Sequence, residues 1–152
     1  MIIRWLLAAI HLSAFGLAMT AIATRNRALK RVAASDPASA DLPAVFRADI
    51  YWAVTALVLL ATGALRAFGA FEKGTAYYLH SPWFHLKMTA FVAILALEVR
   101  PMIAFMRWRA AHQRGVVPDL SSARTFARIG HAQAALILVI VFSAAAMARA
   151  VG

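Results

Sequence analysis

Four long apolar runs separated by three polar stretches organise this chain, at roughly Ile2–Thr24, Asp49–Phe68, Pro82–Met106 and Phe126–Val151. Each is close to the about 20 residues that a helix needs to cross about 30 Å of hydrocarbon. No water reaches backbone N–H and C=O groups there, so spanning runs of this kind fold as helices. The pattern predicts an all-α fold: an integral membrane four-helix bundle forming a single transmembrane domain over residues 1–152. The first connection, Arg25–Arg47, contains Ala34-Ser35-Asp36-Pro37-Ala38-Ser39 and reads as an exposed polar link with room for a short surface helix. The second, Gly69–Ser81, is short and aromatic, and Ser81-Pro82 has the form of an N-cap followed by proline at the first helical position. The third, Arg107–Arg124, is basic, holds Gly115 and Pro118, and ends on Asp119, Ser121 and Ser122 as capping residues.

Composition sharpens this picture. Hydrophobic residues make up 63% of the chain, charged residues 14%, and the mean hydropathy is +0.73, well away from the soluble balance. At 152 residues the chain has room for one bundle but not for a second soluble module, so any site lies in or against the membrane. A net charge of +10 would suit a nucleic-acid binder if it formed one basic face. Here the charges are divided between apolar segments, which excludes nucleic acid and points to the bilayer as partner. The absence of cysteine excludes disulfides and thiolate chemistry.

Charge also predicts orientation. The first and third connections carry Arg25, Arg27, Lys30, Arg31, Arg47, Arg107, Arg109, Arg114 and Arg124, against Arg4, Lys73 and Arg149 on the other side. Lys and Arg in short loops stay in the cytoplasm, so both termini are expected on the outer side of a bacterial cytoplasmic (inner) membrane. Thr20-Ala21-Ile22-Ala23 offers small residues for signal cleavage, but the positive cluster follows the apolar run instead of preceding it, the wrong order for a secretory signal.

The informative residues are the polar ones carried into lipid, where an ionisable group costs at least about 2.5–3.5 kcal/mol on insertion scales. His11, Lys87 and Arg66, with His85 and His80 nearer the surface, outline an outer cluster. Asp49, Glu98, Arg100, Arg128 and His131 form an inner cluster whose charges neutralise one another. Lys87 and Glu98, eleven residues apart, share one face of helix three. Arg124, Arg128 and His131 line one stripe of helix four. Snorkelling explains Lys87, Arg66, Arg100 and Arg128 as well as a site does. His11 is too deep and too short for that. A neutral imidazole between membrane helices is a good axial ligand for haem iron, so haem b is the leading cofactor. Arg66 and Lys87 would then pair with its propionates, or Lys87 would approach the iron. Copper is the competing metal, but Met19, Met88, Met102, Met106 and Met147 are scattered. Phe68, Phe71, Tyr77, Tyr78, Trp83 and Phe84 fit an ordinary interfacial aromatic belt. Pro101 removes a backbone donor and should kink helix three near Leu97–Glu98.

Resemblance adds to this. The segments Glu72-Lys73-Gly74-Thr75-Ala76-Tyr77-Tyr78-Leu79-His80, Pro82-Trp83-Phe84-His85-Leu86-Lys87 and Glu98-Val99-Arg100-Pro101 resemble a bacterial family of small four-span membrane proteins with a domain of unknown function, across nearly the whole chain. More distantly, Trp5-Leu6-Leu7-Ala8-Ala9-Ile10-His11 and the Trp83–Lys87 segment look like HemJ-type protoporphyrinogen oxidase, and the helices are similar to CopD-like membrane domains. The HemJ resemblance implies a haem b ligand at His11 and a functional lysine at Lys87. The chain departs from HemJ at Glu98, where that family has histidine, and at Gly130-His131-Ala132-Gln133. Three functions are expected from these features: a haem b redox protein acting on a porphyrinogen or passing electrons to quinone, a non-enzymatic accessory subunit, or a metal or solute transporter working as a homo-oligomer.

Overall fold

The first helix continues well past the end of its apolar run. In the computed structural model, which describes residues 2–68 and 80–149, α1 spans Ile2–Ala34. His11, Ala14, Ala18, Ala21, Arg25, Ala28 and Val32 are all buried along it. They alternate in steps of three and four, the seam of a coiled-coil-like packing, and that seam crosses Thr24 without interruption. This corrects the expectation of an exposed polar link from Arg25 onward. The true connection is residues 35–41, with a single 3₁₀ turn at Pro37–Ser39 started by Asp36, whose Oδ1 accepts the Ala38 N–H at 3.3 Å.

The second helix, α2, spans Leu42–Phe68, seven residues earlier than its apolar run suggests, because Leu42, Val45 and Ala48 are buried. α3 spans Pro82–Gln113. Ser81 stands at its N-cap position as expected, but its backbone oxygen, not its side chain, accepts the first bond, from Phe84 N–H at 3.1 Å. The helix runs on through Pro101, which is buried, and past Met106, because Trp108 packs in the core and donates its Nε1–H to Asp119 O at 3.0 Å. It ends where Gly115 takes φ +68°. There Gly115 N–H donates to His112 O and Val116 N–H to Ala111 O, closing the helix in the Schellman manner. α4 spans Ala123–Ala148. Ser122 occupies its N-cap without a side-chain bond, and Asp119 instead accepts the Ser121 N–H at 2.9 Å.

All four helices are long and apolar enough to cross a membrane. α1 packs closely on α2 and α4, and α3 on α4, whereas α2 and α3 touch at few points. The bundle thus has three close edges and one loose seam. Two apolar cores fill it. One contains Ala18, Ile22, Trp52, Ile94 and Ile137, and the other, toward the basic connections, contains Leu29, Val45, Phe105, Trp108 and Phe126. Outside, large apolar side chains such as Leu12, Leu57 and Phe142 are exposed, as a lipid-facing surface requires.

Candidate functional site

A polar layer separates the two cores, with Arg25 at its centre. Arg25 is 1% exposed and makes four side-chain hydrogen bonds. Nη1 and Nη2 donate to Oε1 and Oε2 of Glu98 at 2.6 and 3.0 Å, a bidentate pair. Nη1 also reaches Asp49 Oδ1 at 3.3 Å, and Nη2 reaches Gln133 Oε1 at 2.8 Å. Gln133 donates in turn to Glu98 Oε2 at 2.6 Å and to Ile94 O at 3.3 Å. Arg109 completes the set through Asp49 Oδ2 at 2.9 Å and Phe46 O at 3.2 Å. Trp52 and Phe105 present ring faces to the Arg25 guanidinium at 5.5 and 5.8 Å. Two guanidiniums thus face two carboxylates, and the layer is neutral as a whole. One side chain from α1 ties together α2, α3 and α4. Asp49 and Glu98 keep 16% and 19% exposure. Arg25 Nε and Arg109 Nε find no hydrogen-bond partner among the described residues.

Asn26, one residue on, is also buried, and its Oδ1 is unsatisfied. It lies against Gly130 of α4, where a Cβ would collide with the amide. Glycine at 130 leaves the space that the Asn26 side chain occupies between the two helices.

The second polar position is fourteen residues back along the α1 seam, about 21 Å at 1.5 Å per residue. His11 is 7% exposed, and its Nδ1 lies 2.7 Å from Thr62 Oγ1. The Thr62 hydroxyl donates its one proton to Val58 O at 2.6 Å. With that proton so placed, the hydroxyl accepts from His11 in the tautomer that carries its proton on Nδ1 and, in the neutral ring, its lone pair on Nε2. Phe15 meets the ring edge-on at 5.0 Å, and Gly63 lets it lie flat, since a Cβ there would approach Cε1 to 3.3 Å.

The expected inner cluster is partly assembled. Asp49 and Glu98 come together, but Arg100, Arg128 and His131 are exposed, outside the layer, and the cations that neutralise the carboxylates are Arg25 and Arg109. The stripe Arg124, Arg128, His131 is offset around α4 from the packed positions Phe126, Gly130, Gln133 and Ile137, so it faces outward. In the outer group, His11 is buried, Arg66 and Lys87 are half-buried, and His80 and His85 are exposed. From its spacing to Glu98, Lys87 stands about 16 Å above the layer, somewhat below His11. Residues 69–79, among them Phe71, Lys73, Tyr77 and Tyr78, lie outside the described residues, as does the side chain of Phe68. Among the described residues no three His, Cys, Asp or Glu side chains gather as a metal-binding group. A groove of about 550 Å³ opens at the basic end, lined by Val32, Ala33, Pro37, Asp119 and Arg124 among others, far from His11.

A family model described as "Predicted membrane protein (DUF2214)" matches residues 3–152. The chain belongs to this family. No curated protein and no solved structure matches it. Within the DUF2214 match fall both polar positions of the seam, the Arg25 layer and His11, and they differ in chemistry. Arg25 is saturated by opposite charge, a structural arrangement. His11 is instead hydrogen-bonded to a neutral hydroxyl.

Proposed function

We propose that this DUF2214 chain is a haem b-binding membrane protein with redox activity, in which His11 is an axial ligand of the iron. The hydrogen bond between His11 and Thr62, in the tautomer that leaves Nε2 unprotonated, supports this reading. Metal-ligating histidines commonly donate one ring N–H to a second group, which orients the ring and leaves the other nitrogen for the metal. Thr62 takes that role toward Nδ1, inside a helix bundle, a common haem container. The donor chemistry therefore suits the group. Bound haem b supplies one-electron redox chemistry. The chain's own residues would bind and orient it: His11 at the iron, Thr62 behind His11, Arg66 and Lys87 toward the propionates, and His85 at the entrance of α3. Lys87 could alternatively reach the iron.

The nine-to-three division of positive charges supports an orientation with both termini outside a bacterial cytoplasmic membrane. His11 would then lie in the outer half, within reach of a membrane-dissolved quinone or a porphyrinogen. The test is an absorbance spectrum of protein purified from haem-replete cells, oxidised and dithionite-reduced. A stoichiometric Soret band with reduced α and β bands, abolished in His11→Ala, is expected. A spectrum without a Soret band, unchanged after adding hemin, would overturn the reading and leave a small accessory subunit as the better account.

A further inference from the structure

α1 and α4 contain no aspartate or glutamate over their whole lengths. Yet both carry exposed cations at the basic end, Arg27 and Lys30 on α1 and Arg124 and Arg128 on α4. Among the described residues none of these four makes a side-chain hydrogen bond or ion pair. Two contacts fix how the helices stand beside each other. Asn26 faces Gly130, and Val32 and Arg124 line one groove. Six steps forward on α1 match six steps back on α4, so the helices are antiparallel with constant register. Arg27, Lys30, Arg124 and Arg128 then fall within a band roughly 8 Å deep along the axis. Lys30, one turn beyond Asn26, and Arg124 border the contact from either helix. Farther along α1, on the side away from the connections, Gly16 and Thr20 are exposed, and Gly16 has open space beside it. On α4 Leu138 and Phe142 are exposed at 47% and 73%.

We infer that this outer α1/α4 groove binds one anionic phospholipid, its phosphate held by Arg27, Lys30, Arg124 and Arg128 and an acyl chain laid on the small and apolar residues beyond them. The elements the ligand needs follow one another along this side: a cation cluster without partners among the described residues, then the small residues Gly16 and Thr20, then exposed apolar surface at Leu138 and Phe142. The cations stand about 3–11 Å beyond the level of Arg25, where the helices leave their apolar runs. Asp119 shares the groove with Arg124 and sets the limit of the cationic patch toward the third connection. A zwitterionic lipid would bring a second positive charge into the cluster, so the face discriminates by headgroup charge. The inference is independent of haem.

The full-length protein in mixed micelles of phosphatidylglycerol and phosphatidylcholine is examined by native mass spectrometry. Wild type is expected to retain one phosphatidylglycerol in preference to phosphatidylcholine. Lys30→Gln/Arg124→Gln should weaken that adduct by roughly thirty-fold, from the effect of two surface cations. Arg47→Gln/Arg107→Gln removes the same charge from α2 and α3 and should leave it unchanged. Lys30→Arg/Arg124→Lys, which conserves charge, should retain it and controls for folding. Equal loss in both glutamine pairs, equal retention of the two lipids in wild type, or loss in the charge-conserving pair would each overturn the site.

Discussion

Replacing Arg25 by methionine tests the polar layer most directly, because it keeps an unbranched chain of similar reach and removes the charge. The substitution deletes four hydrogen bonds, but its cost falls unevenly. Asp49 keeps Arg109 at 2.9 Å and remains paired. Glu98 keeps only the Gln133 amide, at 2.6 Å, and becomes a carboxylate without a counter-ion. Removing one member of a buried pair costs about 3–5 kcal/mol. Because Glu98 retains 19% exposure and one good donor, the low end applies, about 3 kcal/mol, or roughly a hundredfold in the folding equilibrium. Equilibrium unfolding of the purified protein in micelles, followed by tryptophan fluorescence, measures it. Adding Glu98→Gln to Arg25→Met neutralises the stranded carboxylate and should recover about 2 kcal/mol, since the main loss is an unpaired charge and not a cavity. If Arg25→Met costs under about 1 kcal/mol, or the second substitution only adds to the damage, the layer is not held together by this charge pair.

Two further substitutions probe the remaining close contacts. Gly130→Ala should destabilise the fold by about 1–3 kcal/mol through overpacking against Asn26. In an Asn26→Ala background most of that cost should vanish, which a double-mutant cycle reads as coupling. Thr62→Val leaves the His11 Nδ1–H unsatisfied and should cost about 1–3 kcal/mol in the colourless protein, together with an about 10–100-fold loss of haem retention if haem binds. Thr62→Ser, which retains the hydroxyl, should preserve both, and haem titration with unfolding curves on the same samples separates the two effects.

The four helices were legible because each apolar run is long, and Asp49 and Glu98 stood out as the only acidic residues in those runs. Arg25 did not. It follows Thr24 directly and is succeeded by Arg27, Lys30 and Arg31, so local composition places it in a basic connection. The signal that could have found it is the period of small and apolar residues, Ala14, Ala18, Ala21, Ala28 and Val32, which continues through position 25 without a break. The same logic applies to α4. Following Arg124, Arg128 and His131 selects a stripe by its polar members. The packed face is marked instead by Phe126, Gly130 and Ile137, with Gln133 among them. Arg25 and Arg109 were also counted among nine cations on the basic side. Setting them aside as internal ion-pair partners leaves 9 − 2 = 7 against three, so the charge asymmetry survives their burial.

Arg25 and His11 occupy equivalent positions two heptads apart on one seam, yet they make opposite demands on the rest of the chain. Burying the guanidinium is tolerable only because α2, α3 and α4 each contribute an oxygen to it, and once they do, Arg25 fixes the register of all four helices. That pattern is self-explanatory as architecture. The hydrogen bond between His11 and Thr62 joins α1 to α2, through a hydroxyl that also donates to Val58 O of its own helix. A serine or asparagine would make such a link with less bulk, and would not need Gly63 cleared beneath it. What histidine adds is a second ring nitrogen. The fold therefore uses Arg25 to hold the bundle in register, and His11 with Thr62 to link α1 to α2 at the other polar position of the seam.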